Sequence, residues 1–259
     1  MIVATAALAA AGVAGALAWA GRGGREASIE EAVRRLRSGG ATGGRGFLRP
    51  AVGVYEMRGT GTERLSLLDT TQRWGPRVPM TVRHRPDGCW RLRVSYNTNH
   101  WQEWDHCVRR AGLLEVAGRT FQRFDFVAAT VSDRTEFRCR PPVVTIRVAA
   151  DPSASWPARC EGHSPARGTR TVSAGRNRFL GLTRVRVGHD AIPAYRYRQV
   201  RTITGDQEGR ERTEVWFSAR DALPLRLERD LRVRSPSPLG TVVYTERGVL
   251  ALRHPQPTR

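Results

Sequence analysis

The chain has 259 residues, 40% of them hydrophobic, with 43 basic against 24 acidic side chains and a formal charge of +19. Every one of the 43 is arginine, which excludes chemistry that needs a lysine: the P-loop phosphate cradle and Schiff-base catalysis of the pyridoxal or aldolase type. The length fits one large or two small domains, and the arginines are spread along the chain rather than gathered into a block, a pattern that argues against nucleic acid as the partner.

Residues 1–20 read as a signal peptide or membrane anchor. The stretch from Ile2 to Ala20 carries no charge and is long enough, at ~1.5 Å per residue, to span most of a ~30 Å hydrocarbon core. It ends in Ala18-Trp19-Ala20, an A-x-A triplet of the kind signal peptidase accepts. Both alternatives, cleavage or retention, predict an extracytoplasmic body, secreted or anchored to the plasma membrane. The flanking charges run the other way. Met1 and Ile2 supply no positive n-region, whereas Arg22 and Arg25 follow the stretch, which by the positive-inside rule keeps the body in the cytoplasm. A true start further upstream reconciles the two. Residues 21–47 then predict a short charged helix, Ile29 to Arg37, and a Gly-rich linker, SGGATGGRG; no strand precedes these glycines and no G-K-[ST] follows, so they make no phosphate loop.

Residues 48–255 predict an antiparallel β domain, with strands at 51–58, 63–69, 78–85, 89–96, 100–107, 112–117, 120–127, 134–140, 143–148, 168–174, 177–187, 192–203, 210–219, 225–234 and 240–252. Cys89, Cys107, Cys139 and Cys160 form no C-x-x-C pair, and of their three possible connectivities Cys89 with Cys107 and Cys139 with Cys160 is the local one. Disulfides require an oxidising compartment; four free thiols in a cytosolic protein are the alternative. The first pairing has geometric support. Folding the segment Cys89–Cys107 about Thr98 makes facing residue numbers sum to 196, which sets the cysteines opposite each other, Arg91 against Asp105 and Arg93 against Glu103. The other face then carries Trp90, Leu92, Val94 and Tyr96 against His106, Trp104, Gln102 and His100. His100, Glu103, Asp105 and His106 are the densest set of metal-type donors, but two histidines six residues apart on a strand lie ~20 Å apart and cannot share one ion, and the carboxylates point to the opposite face.

Towards the C-terminus Leu225, Leu227, Leu231 and Val233 alternate with Arg226, Glu228, Asp230, Arg232 and Arg234, one face apolar and the other charged. The intervening loops, at 188–190, 205–209, 221–224 and 235–238, are too short for parallel crossovers, so the strands form a meander that must curl, close or cover its inner face. The Arg-x-Arg pairs at 91/93, 184/186, 196/198 and 232/234 mostly take outward positions. The sequence has no G-x-S-x-G, H-E-x-x-H, EF-hand or kinase motif and no cofactor signature, so no enzyme activity is expected.

The segments GVYEMRGTGTERLSLL, RWGPRVPMTV, DGCWRLRVSYNTNHWQEWDHC, RTFQRFDF and SPSPLGTVVYTERG resemble uncharacterised exported β-rich proteins of high-GC bacteria. VWFSARDALPLRLE, from Val215 to Glu228, looks like the corresponding hairpin of the lipoprotein-carrier (LolA-like) superfamily, although this chain is longer and carries a second disulfide. That resemblance implies a strongly curved antiparallel sheet or partly open barrel enclosing an apolar cavity for acyl chains, to which the uncharged stretch at residues 2–20 adds one N-terminal hydrophobic helix. The resulting expectation is an extracytoplasmic, non-enzymatic protein that binds a hydrophobic or lipid-like ligand in the cell envelope. Its cavity would be lined by Trp90, Leu92, Trp104, Val215, Phe217, Leu225 and Leu227. The alternative is an envelope scaffold or interaction protein whose Arg-rich surface meets anionic wall polymers or lipid headgroups.

Overall fold

A computed structural model describes residues 24–38, 49–66, 70–109, 112–125, 130–147, 150–237 and 240–258. The chain is mainly β. Among the described residues one helix, α1 (Ile29–Ser38), precedes thirteen strands: β1 (Gly53–Leu65), β2 (Thr70–Arg73), β3 (Arg77–His84), β4 (Cys89–Asn97), β5 (His100–Arg109), β6 (Gly112–Asp125), β7 (Thr130–Arg147), β8 (Ser155–Ser164), β9 (Thr169–Val187), β10 (Asp190–Gly205), β11 (Glu208–Ser218), β12 (Pro224–Ser237) and β13 (Gly240–Leu252). The segment expected to form the hydrophobic helix lies outside the described residues, as does the Gly-rich linker. The chain runs on past 255, where Thr258 bridges to Val54.

Every pairing is antiparallel and nearly every neighbour is the next strand in sequence, as short loops dictate. The sheet does not stop at an edge. β13 returns to β1 over nine residue pairs, from Met57 opposite Leu252 to Leu65 opposite Tyr244, so the strongly curved antiparallel sheet that was expected closes fully into a barrel. Closure gives both end strands a partner, which an open meander of this length cannot do. β2 and β3 share one edge of β1, β2 against Thr62–Leu65 and β3 against Gly53–Arg58, so they act as a single interrupted strand in a twelve-strand barrel. At the interruption Trp74 lies on Gly61 and Gly248, which face each other across β1 and β13. A Cβ on either glycine would fall 2.2 Å from the indole, so both positions require glycine.

Ser28 is the N-cap of α1. Ser28 Oγ accepts from the Glu31 amide, and Glu30 and Glu31 fill the positive first turn. Ala27 and Ile29 are buried, and Arg83 Nη2 donates to the Arg35 carbonyl at 2.6 Å, fastening the helix to β3.

The β4–β5 hairpin has the expected register from Cys89–Cys107 to Ser95–Trp101. At the tip it slips by one, pairing Asn97 rather than Tyr96 with His100. Both disulfides are formed, with Cα atoms 4.1 Å apart at Cys89–Cys107 and 4.0 Å apart at Cys139–Cys160. The second spans the thinnest seam of the barrel. β7 and β8 pair only at Glu136–His163, Phe137–Gly162 and Arg138–Glu161. Pro141, Pro142 and Pro157 offer no N–H there, and beyond the disulfide the gap is crossed by Trp156 Nε1 and Asn177 Nδ2, which both donate to the Val144 carbonyl, at 2.6 and 2.8 Å.

The apolar core fills the end of the barrel nearest the β11–β12 turn, with Met57, Trp90, Tyr197, Phe217, Leu225 and Leu250 among its members. A second, smaller cluster of Phe124, Leu231, Val233 and Tyr244 lies towards the other end.

Candidate functional site

Between these two clusters the barrel holds a cavity of about 220 Å³. Its wall changes character along the axis. Met57, Met80, Leu92, Phe217 and Leu227 give an apolar floor, Gln102, His106, Glu115, Arg201, Glu211 and Arg229 a polar belt, and Gln122, Asp133, Thr171, Gln207 and Ser235 line the end that carries the β6–β7, β8–β9, β10–β11 and β12–β13 loops.

The belt is built from charges that stand in the apolar register of their strands. On β12 the buried row is Leu225, Leu227, Arg229, Leu231 and Val233, so Arg229 occupies a position that alternation assigns to a hydrophobe. Glu63 on β1 and Glu246 on β13 are similarly turned inward, and they face each other across the closing pair. Arg229 lies 3.2 Å from Glu211 and 3.4 Å from Glu246, and it also donates to Gln102 Oε1. Gln102 Oε1 accepts from Tyr96 OH as well, at 3.1 Å. Arg201 Nη2 donates to Glu115 Oε2 at 3.4 Å. Beside the belt, Glu63 Oε1 gathers the Trp74 indole at 2.9 Å and His100 Nδ1 at 2.7 Å.

Burial would lower the Arg229 pKa, but Glu246 and Glu211 outweigh it and hold the guanidinium charge above its ordinary value. Burial pushes the Glu246 carboxyl up against the pull of Arg229, whereas for the half-buried Glu211 Arg229 and Arg201 overcome the upward push of desolvation and bring it below its ordinary value. His106 is pushed down to about 4 by burial, and its ring stacks on Trp90 at 4.7 Å.

The charges are therefore mutually compensated, but their hydrogen bonding is incomplete. Arg201 Nε, His106 Nδ1, Thr120 Oγ1, Thr145 Oγ1 and Ser173 Oγ are buried without a hydrogen-bond partner, and all five residues line the cavity. Leaving such a group unsatisfied costs about 1–3 kcal/mol, so a cavity with this many is built to meet polar atoms of a guest or of solvent.

No protein-family model, curated protein or solved structure matches this chain. Its site is therefore read from its own residues.

Of the residues expected to line a cavity, Leu92, Trp104, Val215, Phe217 and Leu227 do so, while Trp90 and Leu225 lie outside its lining, buried in the apolar core. The donor set of the β4–β5 hairpin is dispersed. Asp105 accepts from Arg91 at 2.6 Å and Arg85 at 2.8 Å, and Glu103 from Arg93 at 3.3 Å and Arg119 at 3.4 Å, while His100 and His106 turn inward to Glu63 and Trp90. Among the described residues one trio of metal-type donors comes within 4.8 Å, Glu115 with Cys139 and Cys160, but its sulfurs are bonded to each other. Arg201, Arg229, Glu115, Glu211 and Glu246 were not singled out as site residues from the sequence. The legible signal was the interruption of an apolar row, as at Arg229 between Leu227 and Leu231.

Proposed function

We propose that this protein is a non-enzymatic, extracytoplasmic barrel that binds a small amphipathic, lipid-like molecule. The observation that carries the reading is the cavity itself, with an apolar floor below a polar belt and five buried polar atoms of the lining without a partner. An apolar ligand alone would leave those groups unsatisfied; a fully polar one would forfeit the floor. A molecule with an apolar body against Met57, Met80, Leu92 and Leu227 and an acceptor-bearing end near Arg201 and Arg229 satisfies both. The volume is below the about 300–1,000 Å³ of drug-sized sites, which limits the guest to a single short chain or small ring system. The two disulfides fit an oxidising location.

The experiment is native mass spectrometry of gently purified protein, followed by thermal melting with medium-chain fatty acids as probes. A bound small molecule, or a melting shift of about 5–10 °C at a hundredfold excess over Kd, is the expected result. Leu227→Trp fills the floor and should abolish the shift while the barrel still folds. Absence of both bound mass and shift in the natural protein would overturn the reading.

A further inference from the structure

The charge of the outer wall is unevenly compensated. β9 runs nineteen residues without an aspartate or glutamate and exposes Arg176, Arg178, Arg184 and Arg186. None of the four is in an ion pair among the described residues; Arg176 bonds Ser155 and Arg184 the Ala191 carbonyl, both neutral acceptors. Their cross-strand neighbours continue the pattern. Arg176 lies between Pro157 and Val200, Arg178 between Ser155 and Arg198, Arg184 faces Pro193 and Arg186 faces Ala191. Several arginines of other strands meet acids instead: Glu214 takes Arg196, Arg198 and Arg212, Glu56 takes Arg58 and Arg77, and Arg226 and Arg247 pair with Glu228 and Asp230.

The same wall holds the most exposed large hydrophobics among the described residues, Leu182 at 64% and Val200 at 50%. Leu182 precedes Arg184 on β9 and Val200 stands opposite Arg176, so each is flanked by cations.

We infer that the β8–β10 wall docks on the surface of an anionic lipid bilayer. Arginines without internal counter-charges bind headgroup phosphates, and Leu182 and Val200 enter the headgroup layer between them. A soluble polyanion would use the arginines but give the exposed leucine and valine nothing to contact, which is why a bilayer is the better fit. This surface shares no residue with the cavity lining, so it stands or falls apart from the ligand reading.

The test is sedimentation of the full chain with vesicles of phosphatidylglycerol mixed with phosphatidylcholine, against phosphatidylcholine alone. Any contribution of the apolar stretch from Ile2 to Ala20 is common to both vesicle types, so the readout is the difference between them. Replacing Arg176, Arg178, Arg184 and Arg186 by Gln should weaken the anionic preference about fivefold per residue, several hundredfold together. A control with Arg58, Arg212, Arg226 and Arg247 replaced by Gln removes the same formal charge from ion-paired positions and should stay within a few-fold of the natural protein. Equal losses in the two variants would make net charge the cause and overturn the proposal. Leu182→Ser with Val200→Ser should weaken vesicle binding further at 0.5 M salt. If it does not, and soluble polyphosphate binds as tightly as vesicles, the partner is a polyanion and the bilayer assignment fails. Circular dichroism of each variant separates surface effects from loss of fold.

Discussion

The two disulfides close loops of nearly equal length, with sequence separations of 18 and 21 residues, yet they sit in different settings. Loop-closure entropy assigns each about 3 kcal/mol, so replacing either pair by alanine should lower Tm by a similar amount, about 6–12 °C for a domain of this size. What differs is the ladder beside each bridge. Cys89–Cys107 staples a hairpin that keeps eight residue pairs between β4 and β5, whereas Cys139–Cys160 staples β7 to β8 beside only three. Without the second bridge the seam should open locally, well below the cost of global unfolding. Native-state hydrogen exchange followed residue by residue is the assay. In Cys139→Ala/Cys160→Ala, the amides of the β7–β8 ladder should exchange about a hundredfold faster than amides of β9–β10; in Cys89→Ala/Cys107→Ala, the β4–β5 amides should stay in step with the rest. Equal, uniform loss of protection in both variants would refute the claim that β7–β8 is held chiefly by its disulfide.

Arg229→Met should destabilise by about 3–5 kcal/mol in urea unfolding, because Glu246 is left buried and Glu211 half-buried without their cation, and adding Glu211→Gln and Glu246→Gln should recover most of the loss. Gly248→Ala should lower Tm and redshift the tryptophan emission, since its Cβ collides with the Trp74 ring; retention of the natural spectrum would contradict the packing described. Acid should destabilise in two stages. His106 is held down to about 4 in the folded state, so stability is complete above its unfolded value of about 6.5 and falls between there and about 4. Burial works to raise the Glu214 carboxyl, but Arg212, Arg196 and Arg198 together bring it down to about 2, so its contribution is complete above 4.5 and is lost as pH falls towards 2. In urea midpoints measured against pH, His106→Gln should flatten the first limb and Glu214→Gln the second.

Strand alternation and short loops are local properties, and from Gly188 onward they place β10 to β13 close to where the structure has them. Fusion of neighbouring segments was not legible. The predicted pairs 51–58 with 63–69, 112–117 with 120–127, 134–140 with 143–148 and 168–174 with 177–187 are continuous strands, β1, β6, β7 and β9. Each was divided at glycines or prolines that read as turns. Gly59 and Gly175 are there because a neighbouring backbone carbonyl lies where a Cβ would be, which is a tertiary fact. β2 is too short to show a period. β8 was missed altogether, although SWPARCEGHS alternates exposed and buried without a break, because its inward row of Trp156, Ala158, Cys160, Gly162 and Ser164 is mostly small or weakly apolar. The hairpin register was legible because cysteines and opposite charges mark it, and the slip at Asn97 was not, since it depends on Tyr96 and His100 stacking with rings 4.6 Å apart inside the barrel. The cavity's apolar floor follows from the same alternation. Its polar belt breaks that alternation, and a lone arginine or glutamate in an apolar row acquires meaning only when closure brings the other rows opposite it.

The pairing of β1 with β13 also fixes an order of events. The residues that complete the barrel are separated by most of the chain, so during synthesis the sheet grows hairpin by hairpin with β1 waiting as a bare edge until residue 252 has emerged. The same meeting leaves Val54 bridged to Thr258, so the two ends of the domain lie side by side. A circular permutant that joins them and opens the chain at the exposed Gly205-Asp206 turn should therefore rebuild the same barrel with β10 and β11 at its termini, trading one late closure for another.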